Sequence, residues 1–174
     1  MVDNKCKFNM DLRKLFSDNV IYIQDYVISS VAEIDNLEFI TKRLEQNCLD
    51  IGNLVGLVYG TYNGNRFAEL FVDYLSCEIT FIDSTIDNKI EQSVSDKLQL
   101  HICAIPIVDF LAAIDDFERS DLRELFFDNI HLTELYVMAR IHKNYSDDIK
   151  AFDDLYNQTM WVADFLSSVM ICRL

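Results

Sequence analysis

One short phrase is written three times in this chain at a constant spacing, and that spacing constrains the fold more than any other feature. DLRKLFSDN ends at Asn19, NRFAELFVDY at Tyr74 and DLRELFFDN at Asn129, each 55 residues from the next. The shared form is an apolar residue, two others, Leu-Phe, one residue, Asp, then a polar side chain. Tyr26-Val27 returns as Tyr136-Val137, and the segment Val108 to Leu111 matches Ala163 to Leu166 at the same 55-residue offset. A period of this size is that of a supersecondary unit that buries its apolar face against its own copies.

The unit reads as a pair of helices. From Asp11 onward apolar residues return at helical spacing (Leu12, Leu15, Phe16, Tyr22, Ile23, Tyr26, Val27), with charges on the other face. Asp35-Asn36-Leu37-Glu38 has the form of a helix start, and Leu37, Ile40, Leu44, Ile51 and Val55 carry a second stripe. So short a link makes the two helices antiparallel neighbours. One proline and four glycines leave too little punctuation for an all-β fold. The expectation is an all-α six-helix bundle of three αα-hairpins, with helices near 11–33, 36–60, 65–87, 91–114, 121–144 and 147–172. Asn63-Gly64 is expected to turn the chain into the third helix, Ser120-Asp121 to start the fifth, Ser146 to cap the sixth, and Pro106 to kink the fourth. At 174 residues and 51% hydrophobic content, residues 1–174 form one helical domain.

Charge and cysteine usage narrow the partners. A net charge of −14 repels phosphate backbones and anionic lipid surfaces, so neither nucleic acid nor membrane is expected as a partner. The apolar stretch ICAIPIVDFLAAI reads as too short to span a bilayer. Five scattered cysteines without CxxC spacing suggest reduced thiols, and with no signal-like N-terminus the expected location is cytoplasmic.

All four glycines fall in LDIGNLVGLVYGTYNGN, four residues apart. A phosphate loop needs a different spacing, a preceding strand and a lysine, so the stretch reads as packing and punctuation: Gly52 and Gly56 on one helical face, Gly60 at a helix end, Gly64 in a turn. Asp128, His131 and Glu134 share a helix, yet His131 faces away from the apolar stripe and reads as solvated. Adjacent carboxylates such as Asp115-Asp116 point in different directions and cannot act as an acid–base pair. No catalytic, cofactor-binding or metal-ligating set emerges, and no cofactor is expected. The informative positions are polar residues inside apolar stripes: Asn19, Tyr74, Asn129 and Tyr156. If the hairpins close about an approximate threefold axis, Asn19, Tyr74 and Asn129 become equivalent and converge. The simpler alternative is a buried polar seam that fixes helix register.

The segment RLEQNCLDIGNLVGLVYG, Arg43 to Gly60, with Asp148, Ile149, Asp153, Ala163 and Asp164 near the end of the chain, resembles a family of small bacterial helical proteins without assigned function. Its members are sometimes labelled acetylglutamate kinase or glycosyltransferase, labels their sequences do not support. The family pattern runs from an HxxWTR-like opening through NQxDIGNAIxxYYG and HLxLTTxE to YDxxH and ADxLxxGI. The resemblance implies histidines on facing helices, as in a metal or general-base cluster, at positions held here by Asn19, Tyr74, Asn129 and Tyr156. Amides and phenols are weaker ligands, so no tight transition-metal site is expected. The expected function is that of a non-enzymatic cytosolic bundle acting through protein contacts, with a partner protein or as a homo-oligomer, or through sequestration of a small ligand. The alternatives are a degenerate member of a metal-binding or metal-dependent enzyme family, and a carrier of apolar ligands lined by its many aromatics.

Overall fold

The computed structural model describes residues 4–174, and among these there is no strand. Six helices follow in order: α1 Asn4–Val31, α2 Leu37–Tyr59, α3 Thr61–Ile86, α4 Ile90–Ile114, α5 Arg119–Ile141 and α6 Tyr145–Met170. The all-helical fold is as the sequence leads one to expect. Each helix packs on its chain neighbour, and α6 packs back on α1 to close a ring. The three odd helices also touch one another, so α1, α3 and α5 form the centre. Between them lie α2 (in the groove of α1 and α3), α4 (of α3 and α5) and α6 (of α5 and α1).

Burial in the odd helices follows the written phrase. Leu12, Phe67 and Leu122 are fully buried, as are Val27, Ile82 and Val137, and Phe16, Phe71 and Phe126 are buried alike. The hairpin corners also fall in one register. Two residues beyond the end of each odd helix stands a residue in the left-handed region, Glu33 (φ 54°), Asn88 (φ 54°) and Lys143 (φ 56°). In each corner the next amide reaches back five residues: Ile34 N to Ser29 O (2.9 Å), Lys89 N to Ser84 O and Asn144 N to Ala139 O (both 3.1 Å). This bond pattern satisfies carbonyls that the helix end would otherwise leave unpaired.

Several boundaries differ from the sequence expectation for local reasons. Helix α1 begins seven residues earlier, at Asn4 instead of Asp11, because Phe8 extends its buried stripe. Gly64 does not turn the chain: the turn is Gly60 alone (φ 86°, ψ 155°), in a region essentially reserved for glycine, and Gly64 lies buried inside α3. Asn36 precedes α2 but makes no capping bond with its side chain, and Glu38 instead accepts from Lys42 at 2.5 Å. Glu118 and Asn144, and not Ser120 and Ser146, stand at the starts of α5 and α6. Helix α4 continues through Pro106, and because it starts at Ile90 it is long and apolar enough to cross a membrane by length and composition, correcting the shorter stretch read from sequence. Two cysteines are not free thiols: Cys77 of α3 is joined to Cys103 of α4, while Cys48 is buried and Cys6 and Cys172 are exposed.

The glycines set how closely α2 and α3 approach. A methyl on Gly52 would come within 2.5 Å of Ala68 Cβ and 2.6 Å of Gly64 O, and one on Gly64 would meet Gly52 O at 2.5 Å and Gly56 Cα at 2.7 Å. A methyl on Gly56 would meet nothing nearer than Gly64 Cα at 3.6 Å, an ordinary contact. Both glycines singled out in the sequence therefore lie against the backbone at Gly64, but only Gly52 has no room for a methyl of its own.

Two expectations follow, both read by denaturant unfolding. Gly52→Ala and Gly64→Ala each lose about 1–3 kcal/mol through overpacking, whereas Gly56→Ala is neutral or stabilising through its better helix propensity. At the corners, Glu33→Gly and Lys143→Gly each gain up to about 1 kcal/mol by relieving the left-handed backbone, and Asn88→Gly gains less because asparagine tolerates that region.

Candidate functional site

At the centre, where α1, α3 and α5 meet, the helices leave a cavity of about 30 Å³. The phrase that recurs in the sequence supplies most of its wall: Phe16 and Asn19 from α1, Phe71 and Tyr74 from α3, Phe126 and Asn129 from α5. Glu78 of α3 and Thr159 and Val162 of α6 complete it. Asn19, Tyr74 and Asn129 are therefore brought together. Tyr156 is not: its hydroxyl pairs with Ser17 Oγ at 3.1 Å, between α1 and α6.

The rings form a connected wall. Phe16 and Phe71 lie 6.0 Å apart between centroids, Phe71 stacks on Tyr74 at 6.1 Å, and Tyr74 meets Phe126 edge-on at 5.7 Å. Asn129 Nδ2 donates to Thr159 Oγ1 at 3.1 Å, and Thr159 in turn donates to Leu155 O at 2.9 Å. The Tyr74 hydroxyl is buried without a hydrogen-bond partner. Such an orphan costs about 1–3 kcal/mol, which a small hydrogen-bonding occupant of the cavity would offset. Room for one small group is what the volume provides.

Glu78 stands one helical turn from Tyr74, on the same face. It is 5% exposed, and burial pushes its carboxyl up to about 7, against a smaller opposing pull from the Thr133 hydroxyl. Its field, added to burial, raises the Tyr74 phenol well above its ordinary range and the Cys48 thiol of α2 to about 12, so both stay neutral. No ion pair joins Glu78 to a basic side chain among the described residues.

Sequence reasoning missed Glu78 and Thr159. The 55-residue register holds the signal for the first, since Glu78 aligns with Ile23 and Thr133, both buried. For Thr159 there is no such signal, because its role depends on how α6 settles against α5. The histidines lie apart from the cavity. His101 sits against Lys97 O and the Phe127 ring, and exposed His131 is 3.7 Å from Glu134. No group of three or more His, Cys, Asp or Glu able to hold a metal ion occurs among the described residues.

The larger hollows among the described residues are open surface troughs. The one between α2 and α3, about 600 Å³ and lined by Leu49, Asn53, Val72 and Asp73 among others, contains none of the buried unpartnered groups. No protein-family model, no curated protein and no solved structure matches this chain.

The raised Glu78 carboxyl has a direct consequence for stability. A carboxyl whose folded pKa lies near 7 and whose unfolded value is 4.5 binds its proton more tightly when folded. Stability therefore falls as pH rises from about 4.5 to about 7 and levels off above. Glu78→Gln removes this penalty: its gain over the parent is absent at pH 4, grows through that window, and reaches a few kcal/mol, about 3 at most, at pH 8. Urea midpoints of the two proteins at pH 5 and pH 8 measure it.

Proposed function

We propose that this chain is a non-enzymatic helical bundle that holds a small ligand in its central cavity. The observation that carries this reading is the buried, unpartnered hydroxyl of Tyr74, which lines a cavity walled by three versions of one sequence phrase. We further propose that the three hairpins are copies of one ancestral unit. The common left-handed corners and the shared burial of positions 55 residues apart support that origin. On this reading the resemblance noted in the sequence concerns the scaffold, and relatives with histidines would use the same central position with different chemistry.

A second reading, action through protein contacts, draws on α4. Ile90, Val94, Leu98 and Ile102 repeat every four residues and are 58–71% exposed, which leaves an apolar stripe on the outer face of the helix. A second copy of the chain is the simplest partner for a stripe of this kind.

One experiment separates the two. In backbone-amide NMR with a panel of small polar fragments, the first reading expects saturable shifts at Asn19, Tyr74, Glu78 and Asn129. Shifts that stay absent there while the resonances of Val94 and Leu98 broaden with protein concentration would replace it with the second.

A further inference from the structure

The lining of the central cavity is selective in its chemistry. Its polar groups are the amides of Asn19 and Asn129 and the hydroxyls of Tyr74 and Thr159, each able to donate and accept, and the Glu78 carboxyl, the one group among them that can carry charge. One of the two Nδ2 donors of Asn129 is committed to Thr159. No lysine, arginine or histidine enters the lining. The remaining wall is aromatic, and an aromatic face carries negative quadrupole density that attracts a cation. One carboxylate without imidazole or thiolate is a poor set for a transition metal, and the cavity is too confined for the hydrated shell that small divalent cations retain. An ammonium head, by contrast, is a compact charge with three donors and no acceptor.

We propose that the cavity binds a small primary ammonium cation, its N–H groups donating to Glu78 and Tyr74 Oη and its carbon end resting against the rings of Phe16, Phe71 and Phe126. This rests on the ligand-holding reading above and gives that ligand a chemical class. The occupant gives the orphaned Tyr74 oxygen an N–H to accept and supplies the counter-charge that Glu78 lacks in the protein. The cation is either free methylammonium or the terminal amine of a longer molecule, since both present the same head.

The test is a titration followed by thermal shift and NMR at pH 8 and constant ionic strength, where Glu78 is ionised and an alkylamine remains protonated. The probes are methylammonium, n-butylammonium, tetramethylammonium, potassium chloride and methanol. The expected result is saturable stabilisation by methylammonium with shifts at Asn19, Tyr74 and Glu78, and none by tetramethylammonium, which has no N–H to donate. Glu78→Gln, which folds at least as well as the parent at this pH, should weaken binding by about tenfold or more, since a charge-assisted contact becomes neutral. Tyr74→Phe, which keeps the ring, should weaken it severalfold. A response to n-butylammonium equal to that of methylammonium identifies the head of a longer amine, and a response to methylammonium alone identifies the free cation; either supports the proposal. Equal stabilisation by methanol, undiminished in Glu78→Gln, leaves the ligand-holding reading standing and overturns the cation. Reproduction of the effect by potassium chloride likewise overturns the ammonium class. Silence of the cavity resonances toward every probe overturns both.

Discussion

At Gly52, Gly56 and Gly64 the backbones of helices α2 and α3 meet directly, the tightest approach the glycines of this chain make. Gly52 and Gly64 face each other so closely that a single methyl on either would collide with backbone or Ala68. A gap of this kind lets two helices pack by direct apposition, and it explains how one residue, Gly60, suffices as the link between them. The tight link also places Tyr59 where its hydroxyl donates to Asp115 at 2.6 Å, beyond the end of α4. Arg173 closes on the same carboxylate, donating through Nη2 at 2.7 Å, and holds the Asp115 carboxyl down to about 2. One close helix contact thus leads to a polar junction that ties α2 and α4 to the end of the chain.

Other residues in the Arg43 to Gly60 segment have comparable structural work. Asn47 is fully buried and its Nδ2 donates to Leu15 O at 3.0 Å, a bond from α2 to the backbone of α1. Arg43 lies over the Tyr22 ring at 4.9 Å and near Asp18 at 3.8 Å. On the opposite side of α1, Arg13 pairs with Asp164 of α6, a residue of the terminal ADxL-like segment. Arg43, Asn47 and Asp164 thus each tie one helix of the ring to its neighbour.

What could be read from the sequence depended on whether a residue's position was settled by period or by fit. The helices and their inward faces follow from apolar spacing, and the convergence of Asn19, Tyr74 and Asn129 follows from their common place in the phrase. The corners were not legible because Glu33, Asn88 and Lys143 adopt a backbone region usually given to glycine, so composition offers no marker. Gly64 looked like a turn because Asn63 precedes it, whereas the contact that requires it comes from a different helix. Tyr156 shares the stripe logic of the other polar positions but lies on α6, where a hydrogen bond to Ser17 keeps it out of the cavity. The link from Cys77 to Cys103 depends on the pairing of α3 with α4, which spacing along the chain does not specify.

The closure of α6 onto α1 also governs where the covalent chain needs to be continuous. Arg13 meets Asp164 while Ser17 meets Tyr156, so the two helices run antiparallel and the beginning of α1 lies toward the end of α6. Every helix in the ring then has a neighbour on either side, and the break between α6 and α1 is one of connectivity, not of packing. A chain reopened at the α1–α2 corner, with the end of α6 joined to the start of α1 by a linker, would pass through the same six helices in a rotated order. The fold is in this sense cyclic, and the order in which its hairpins are read is a property of the gene more than of the packed molecule.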